Sequence, residues 1–388
     1  MAWLKSPPDG IAVGLALAAS LALRLSLFLF VSGDIQEFLF SWYDFIRSEG
    51  VWRSQGLEFS NYPPLYLYLL ALATWLPIPK LFAIKLLSVV FDYVLAGYVG
   101  AIAGQCAGPR SFWPAALVTL FLPTVVMNSS LWGQCDAMYA SGLMACVYYL
   151  LVNRSAAAMV ALGLALSLKP QGIFLVPLIL VLVWQRRFSP LLLYVPAIVY
   201  VLLAVPAWLA GRSFADLILL YAHQKILPFP ALTLGATNLY QWLPGVPFEP
   251  FFTAGLVLAA TSAGAFIVVL CRRHPGGLSS PVVLRAALLS LVLMPFVLPA
   301  MHERYFFAAD ALSVAYAFAF RRGWRLAALI QAASAFTYLP YLFDWEPIPR
   351  PVLAGLMAVA LGLLGWDLAG RIRAAPEGPS VNTPQGNQ

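Results

Sequence analysis

Thirteen apolar runs, separated by short polar stretches, constrain this chain more than any other feature. They lie near 11–31, 62–77, 81–104, 111–127, 132–151, 155–168, 171–184, 190–209, 251–270, 281–299, 305–320, 326–343 and 351–370. Within them apolar and polar residues do not alternate, so they read as helices rather than barrel strands. Hydrophobic residues make up 62% of the chain and charged residues 10%, where a soluble chain carries about 25% charge. The expected fold is an all-α polytopic integral membrane protein, with one transmembrane domain over 1–373. Residues 374–388, from the Ala-Ala-Pro-Glu-Gly-Pro stretch onward, read as a disordered tail for want of apolar content.

The net charge of +7 does not point to nucleic acid. The basic residues sit between apolar runs, as Arg186-Arg187, Arg272-Arg273, Arg321-Arg322, Arg371 and Arg373, which is a topology signal. Counting forward with Lys5 inside puts Asp34 outside and Lys80 with Lys85 inside. Counting back from Arg373 puts all the arginine pairs and Arg154 inside. Asp136, Lys169, His223, His302 and Asp344 then fall outside with Asp34. The two counts collide between 105 and 131. Demoting 111–127 to a re-entrant or incompletely crossing element resolves them, since Pro114 and Pro123 weaken a straight helix there. That leaves about 12 spans (11–13), with both ends cytoplasmic. The first run is long enough to span and is followed by no small-residue cleavage site, so no cleaved signal peptide is expected. Cys106, Cys135, Cys146 and Cys271 show no spacing that indicates a disulfide framework or a zinc site.

Asp34 stands just past the first run, where a charge is costly unless it is used. It opens a first external loop over 32–61 with a juxtamembrane helix, whose Trp42, Tyr43 and Trp52 suit the headgroup level. A second external loop over 211–250 carries Asp216, His223, Gln224, Lys225, Asn238 and Gln241, and suits a lid or acceptor-binding segment. Four polar clusters interrupt apolar sequence on this side: Asp34 with Glu37, on one face if helical; Trp132-Gly-Gln134-Cys-Asp136; Leu168-Lys169-Pro-Gln171-Gly; and Met301-His302-Glu303-Arg304-Tyr305. Each has a plain structural reading. Asp34 and Asp136 suit helix N-termini, Lys169 suits a snorkelling span end, and Glu303 with Arg304 suits an interfacial ion pair. Together they suit an acid–base site with an anion-binding partner.

The chemistry that fits is group transfer from an anionic lipid. Asp34 would accept the proton of an attacking hydroxyl, while Lys169 and Arg304 neutralise a departing phosphate. No Walker pattern or Rossmann fingerprint occurs, which speaks against a sugar nucleotide or ATP as donor. Two other classes stay open: a transporter or flippase of lipid-linked sugars, which would depend on the cations more than on Asp34, and a non-catalytic scaffold in envelope-glycan assembly.

The strings Asn61-Tyr62-Pro-Pro-Leu, Trp132-Gly-Gln-Cys-Asp, Lys169-Pro-Gln and Met301-His-Glu-Arg-Tyr-Phe resemble those of the C-type (GT-C) membrane glycosyltransferases. Within that class the likeness is to prokaryotic relatives of the GPI mannosyltransferase II, over roughly 10–345. The resemblance implies a GT-C-like helical bundle in the plasma (inner) membrane, with its active site on the extracytoplasmic face. It implies an inverting transfer of mannose from a polyprenyl-phosphate sugar donor to a glycolipid or glycan acceptor. Its partners would be that donor, the acceptor and membrane lipids, with no cofactor. It makes Asp34 the catalytic residue, as the acidic residue of the first external loop, with Asp136 as the second acidic position. Substrate contacts would come from Glu37, Asn61, Tyr62, Gln134, Asp136, Lys169, Gln171, His302, Glu303 and Arg304. The Asp-Glu or Asp-x-Asp pair of some relatives is not reproduced at Asp34, so no catalytic metal is expected. Without a large soluble external domain, a protein acceptor is not expected either.

Overall fold

The computed structural model describes residues 10–223, 230–321 and 323–373. Lys5, Gln224, Lys225, Arg322 and the 374–388 tail lie outside them, as do the side chains of His223, Arg371 and Arg373. From the N-terminus the helices are α1 (Gly10–Ser26), α2 (Phe40–Glu49), α3 (Val51–Gln55), α4 (Pro64–Ala73), α5 (Lys80–Ala107), α6 (Phe112–Leu120), α7 (Pro123–Val126) and α8 (Asp136–Leu151). They continue as α9 (Ser155–Leu166), α10 (Val176–Trp184), α11 (Tyr194–Leu209), α12 (Phe214–Ile218), α13 (Leu220–His223), α14 (Phe248–Arg273), α15 (Ser280–Val297), α16 (Phe307–Ala319), α17 (Gly323–Phe343) and α18 (Arg350–Arg373). Proline opens several of them, as at Pro64, Pro123 and Pro281, where its missing N–H costs nothing.

The chain is an all-α, multi-pass membrane protein. Among the described residues six helices are long and apolar enough to cross a bilayer: α5, α11 with its leading turn, α14, α15, α17 and α18. The most apolar stretch of α15 is 78% buried, so α15 is central; those of α11 and α14 are 17% and 22% buried and turn apolar flanks outward. The remaining apolar helices, α1, α4, α9, α16 and the 170–184 element, are shorter, and any of them that crosses ~30 Å needs the non-helical chain at its ends to complete the pass. One departure from all-helical structure appears. Strands β1 (Thr233–Leu234) and β2 (Met301–His302) pair in parallel, tying the 211–250 loop to the Met301–Tyr305 cluster.

The bundle has two chemically different ends. Lys169 ion-pairs with Asp136 at the start of α8, whereas Arg187 donates to Leu150 O near its finish (2.9 Å) and to Asn153 Oδ1 (2.8 Å). Fourteen helical steps separate those contacts, about 21 Å. Arg187 also donates to Leu278 O, which brings the α14–α15 turn to the same arginine-rich end. Asp34, Gln134, Asp136, Lys169, Arg304 and Tyr341 gather at the other end.

This geometry departs from the sequence reading at two points. In the 62–77 run the helix, α4, has only 10 residues, and Lys80 just beyond it ion-pairs with Asp44 at 2.5 Å. Lys80 and Lys85 therefore lie at the Asp34 end, not at the arginine end. The demoted 111–127 run, in contrast, lies antiparallel along α5. The Cβ of any larger residue at Gly100 would meet Phe112 O at 2.7 Å, Asp92 accepts from Ser129 at 2.6 Å, and Lys85 reaches Ser130 O at 2.7 Å. The element is bent by 54° between Leu120 and Pro123, as a proline there dictates; Pro114 lies in the first turn of α6 and breaks nothing. Trp42 and Tyr43 also do not face outward as headgroup-level aromatics would. Both are buried, and Trp42 packs on Tyr62 at 5.2 Å, while Trp52 alone of the three is exposed.

Candidate active site

Two widened π turns build the centre of the site, Ile35–Leu39 after Asp34 and Met127–Trp132 before Gly133. Such turns swing side chains off the regular helical period. Gly133 then adopts a left-handed φ of +74°, and a Cβ on it would fall 2.7 Å from Ile35 Cδ1. Only glycine allows both that conformation and that approach, and the approach brings the two π turns together. Ser32 closes the joint, donating to Trp132 O at 2.7 Å.

Asp34 sits at this junction with three side-chain donors aimed at it. Tyr341 OH donates to Oδ1 at 2.7 Å, Trp132 Nε1 donates to Oδ2 at 2.8 Å, and Gln134 Nε2 donates to Oδ2. Trp132 and Tyr341 stack at 4.2 Å, so the two donors hold each other in place. A carboxylate has about four lone-pair sites, which leaves Oδ1 able to accept one more proton donor. Its side chain is 20% exposed, against none for Asp136. Asp34 is the carboxylate that an outside molecule can reach.

Behind it lies a buried network centred on Asp136. Lys169 Nζ contacts Asp136 Oδ1 at 2.5 Å, Asn128 Nδ2 donates to Oδ2 at 2.7 Å, and Arg304 Nε approaches Oδ2 at 3.4 Å. Lys169 is fully engaged, also meeting Gln134 Oε1 at 3.4 Å and the Tyr62 ring at 5.5 Å. Arg304 is not. Its Nη1 pairs with Glu303 at 3.2 Å and lies 3.9 Å from Asp34 Oδ2, its Nε lacks a hydrogen bond, and its guanidinium rests 5.1 Å over Trp132. Burial alone would lower both cations' pKa values, but the surrounding anions, Asp136 first and at Arg304 also Glu303 and Asp34, reverse this and hold each well above its ordinary value. Three carboxylates (Asp34, Asp136, Glu303) face two cations, so the cluster carries one net negative charge with His302 neutral.

Of the residues singled out in the sequence, Asp34, Tyr62, Gln134, Asp136, Lys169, Glu303 and Arg304 come together. Tyr62 donates to Gln134 Oε1 at 3.4 Å, and burial raises its pKa. Glu37 does not join them: it is exposed, because the π turn breaks the three-residue spacing that would align it with Asp34. Asn61 is exposed on the turn into α4, and Gln171 is buried with its side-chain oxygen unpartnered. His302 is 37% exposed and 3.9 Å from Glu303. From the 211–250 loop, Asn238 and Gln241 bond backbone and threonine oxygens (Leu298, Ala236, Thr233) rather than the site, while Gly235, at φ +91°, abuts Glu303. Trp132, Asn128 and Tyr341 are the functional candidates that pattern reasoning passed over. No family model matches the chain, and no curated protein matches it in sequence.

Proposed function

We propose that this chain is an inverting glycosyltransferase that moves a sugar, most simply mannose, from a polyprenyl-phosphate donor to a hydroxyl of a glycolipid or glycan. The observation that carries the reading is Asp34: a reachable carboxylate, fixed by Trp132, Gln134 and Tyr341, with one accepting position left and an arginine beside it. In the step, the acceptor oxygen bonds to the anomeric carbon as that carbon's bond to phosphate breaks. The electron pair leaves with the phosphate, and the acceptor proton passes to Asp34. Asp136, locked between Lys169 and Arg304, is a structural anion rather than the base. Arg304, with donors to spare, is the phosphate contact; Lys169 acts one layer back, orienting Gln134 and Asp136.

The bundle supports a GT-C-like arrangement. If α1, the bent α6–α7 element, α8, α9, the 170–184 element and α16 cross together with the six long helices, the chain makes 12 passes. Asp34 would then face the extracytoplasmic side of the plasma membrane, and the arginine-rich end the cytoplasm. Both termini would be cytoplasmic. The direct test incubates purified protein with a panel of polyprenyl-phosphate sugars and an acceptor extract, and follows donor consumption by mass spectrometry. Consumption of no donor would sink the reading.

Two results are expected alongside. In a cysteine-free background, Gln36→Cys and Ile173→Cys, both at exposed positions, should react with an impermeant thiol reagent added outside cells, and exposed Arg186→Cys only after permeabilisation. Labelling that separated Gln36 from Ile173 would break the proposed sidedness. Arg304→Lys should weaken donor use despite keeping its charge, because an ammonium lacks the planar two-pronged fork. Losing one charge-assisted contact costs roughly 1.5–3 kcal/mol, about 10- to 150-fold in kcat/KM. An unchanged kcat/KM, with only the melting temperature lowered, would reduce Arg304 to the Glu303 and Asp136 ion pairs.

A further inference from the structure

The face of α5 toward α1 carries Lys85 and Asp92, both fully buried. Among the described residues Lys85 has no carboxylate partner. Its ammonium lies instead in a cage of backbone carbonyls: Phe30 O at 2.5 Å, Ser130 O at 2.7 Å, Phe28 O at 3.1 Å and Leu27 O at 3.4 Å. Three of these belong to the chain just past the end of α1, where the helix dipole favours a cation, and one of them, Leu27 O, also accepts from Phe30 N at 3.2 Å. The fourth belongs to the π turn that ends at Trp132. Two turns along α5, Asp92 fastens the same elements: it accepts from Arg24 Nε at 2.8 Å and Ser129 Oγ at 2.6 Å, while Arg24 Nη2 donates to Leu120 O at 2.8 Å.

We propose that Lys85 is the positioning residue for Asp34, a tethered cation that fixes the gap between the strand of chain leading to Asp34 and the turn that presents Trp132 and Gln134 to it. Asp34 follows Phe30 by four residues, and Gln134 follows Ser130 by four. The cage therefore sits at equal chain distance from the carboxylate and from one of its donors. A buried ammonium with only carbonyl partners is expensive to hold, and this one satisfies carbonyls from both sides of the joint at once. Asp92 with Arg24 already joins the helices. What Lys85 adds is a point contact beside the reacting group, where a ~1 Å misplacement costs about 10²-fold in rate. The inference rests on the reading of Asp34 as the base.

The test compares wild type, Lys85→Met and Lys85→Ala in turnover and melting temperature. The added salts are ethylammonium chloride, which refits the carbonyl cage, and tetramethylammonium chloride, which has no N–H to donate. Lys85→Met should lose roughly 100-fold in kcat while donor KM stays within about twofold, since Arg304 is untouched. In Lys85→Ala, ethylammonium should restore kcat and tetramethylammonium should not. If Lys85→Ala folds only with ethylammonium present, turnover near wild type in that salt supports the proposal as well. Full kcat in Lys85→Met, or a melting temperature rescued by ethylammonium with kcat still low, overturns it. Those failures require a wild type that turns over, so they are distinct from a wild type that consumes no donor, which sinks the transferase reading itself.

Discussion

Asp34→Asn should fold and purify like the wild type and lose transfer by roughly 10²–10⁴-fold, the usual cost of removing a general base. The local geometry tolerates the amide. Its oxygen takes the place of Oδ2 and keeps the Trp132 and Gln134 bonds, while its NH₂ faces Tyr341, whose hydroxyl accepts as readily as it donates. Folding is thus separated from chemistry, because the amide nitrogen's lone pair is delocalised into its carbonyl and cannot take the acceptor's proton. Turnover is measured with the donor established from the sugar panel, and melting temperature serves as the folding control. Near wild-type turnover in a well-folded Asp34→Asn would remove Asp34 from catalysis. Full transport of a lipid-linked sugar by that variant would instead favour the flippase class, in which the cations matter more than this carboxylate.

Asp136→Ala is expected to have the largest effect on stability. Its side chain is inaccessible, and Lys169 at 2.5 Å and Arg304 at 3.4 Å depend on it for charge balance. Removing one member of a buried ion pair leaves uncompensated charge and costs roughly 3–5 kcal/mol, a large share of the ~5–15 kcal/mol that holds a typical domain together. Asp136→Asn should cost less, since the amide oxygen still accepts from Lys169. Denaturation of both variants in detergent reads the difference. A loss below about 1 kcal/mol for Asp136→Ala, the range of a surface pair, would mean that water reaches the network and that the pair is not structural.

The clusters at 132–136, 168–172 and 301–305 were legible in the sequence because a charge at the end of an apolar run has few places to go. It either reaches the interface or turns inward to a partner. Tyr341 was not legible. It lies inside the 326–343 run, where a tyrosine looks like core or interfacial belt, and its role exists only because α17 returns to Asp34 across 307 residues. Trp132 was visible as part of a string, but nothing in its neighbours says which way its indole N–H points. Glu37 was misplaced because a spacing of three presumes the ordinary helical period, and π turns have no reliable sequence mark. Lys80 and Lys85 are assigned to the wrong end for a related reason. Hydropathy counts apolar residues, whereas helix α4 stops at Ala73, ahead of Pro77 and Pro79.

The hydrogen bond between Tyr341 and Asp34 also sets a timetable for biosynthesis. The site draws on residue 34, on 132–136, on 169, on 303–304 and finally on 341. At a synthesis rate of about 5–20 residues per second, the 307 residues between Asp34 and Tyr341 take roughly 15–60 s to add. Throughout that interval Asp34 lacks one of its three side-chain donors, and until residue 304 is made Asp136 lacks its second cation. A chain that stalls before α17 is inserted would expose that incomplete polar cluster to lipid or to water, a feature by which membrane quality control can recognise it.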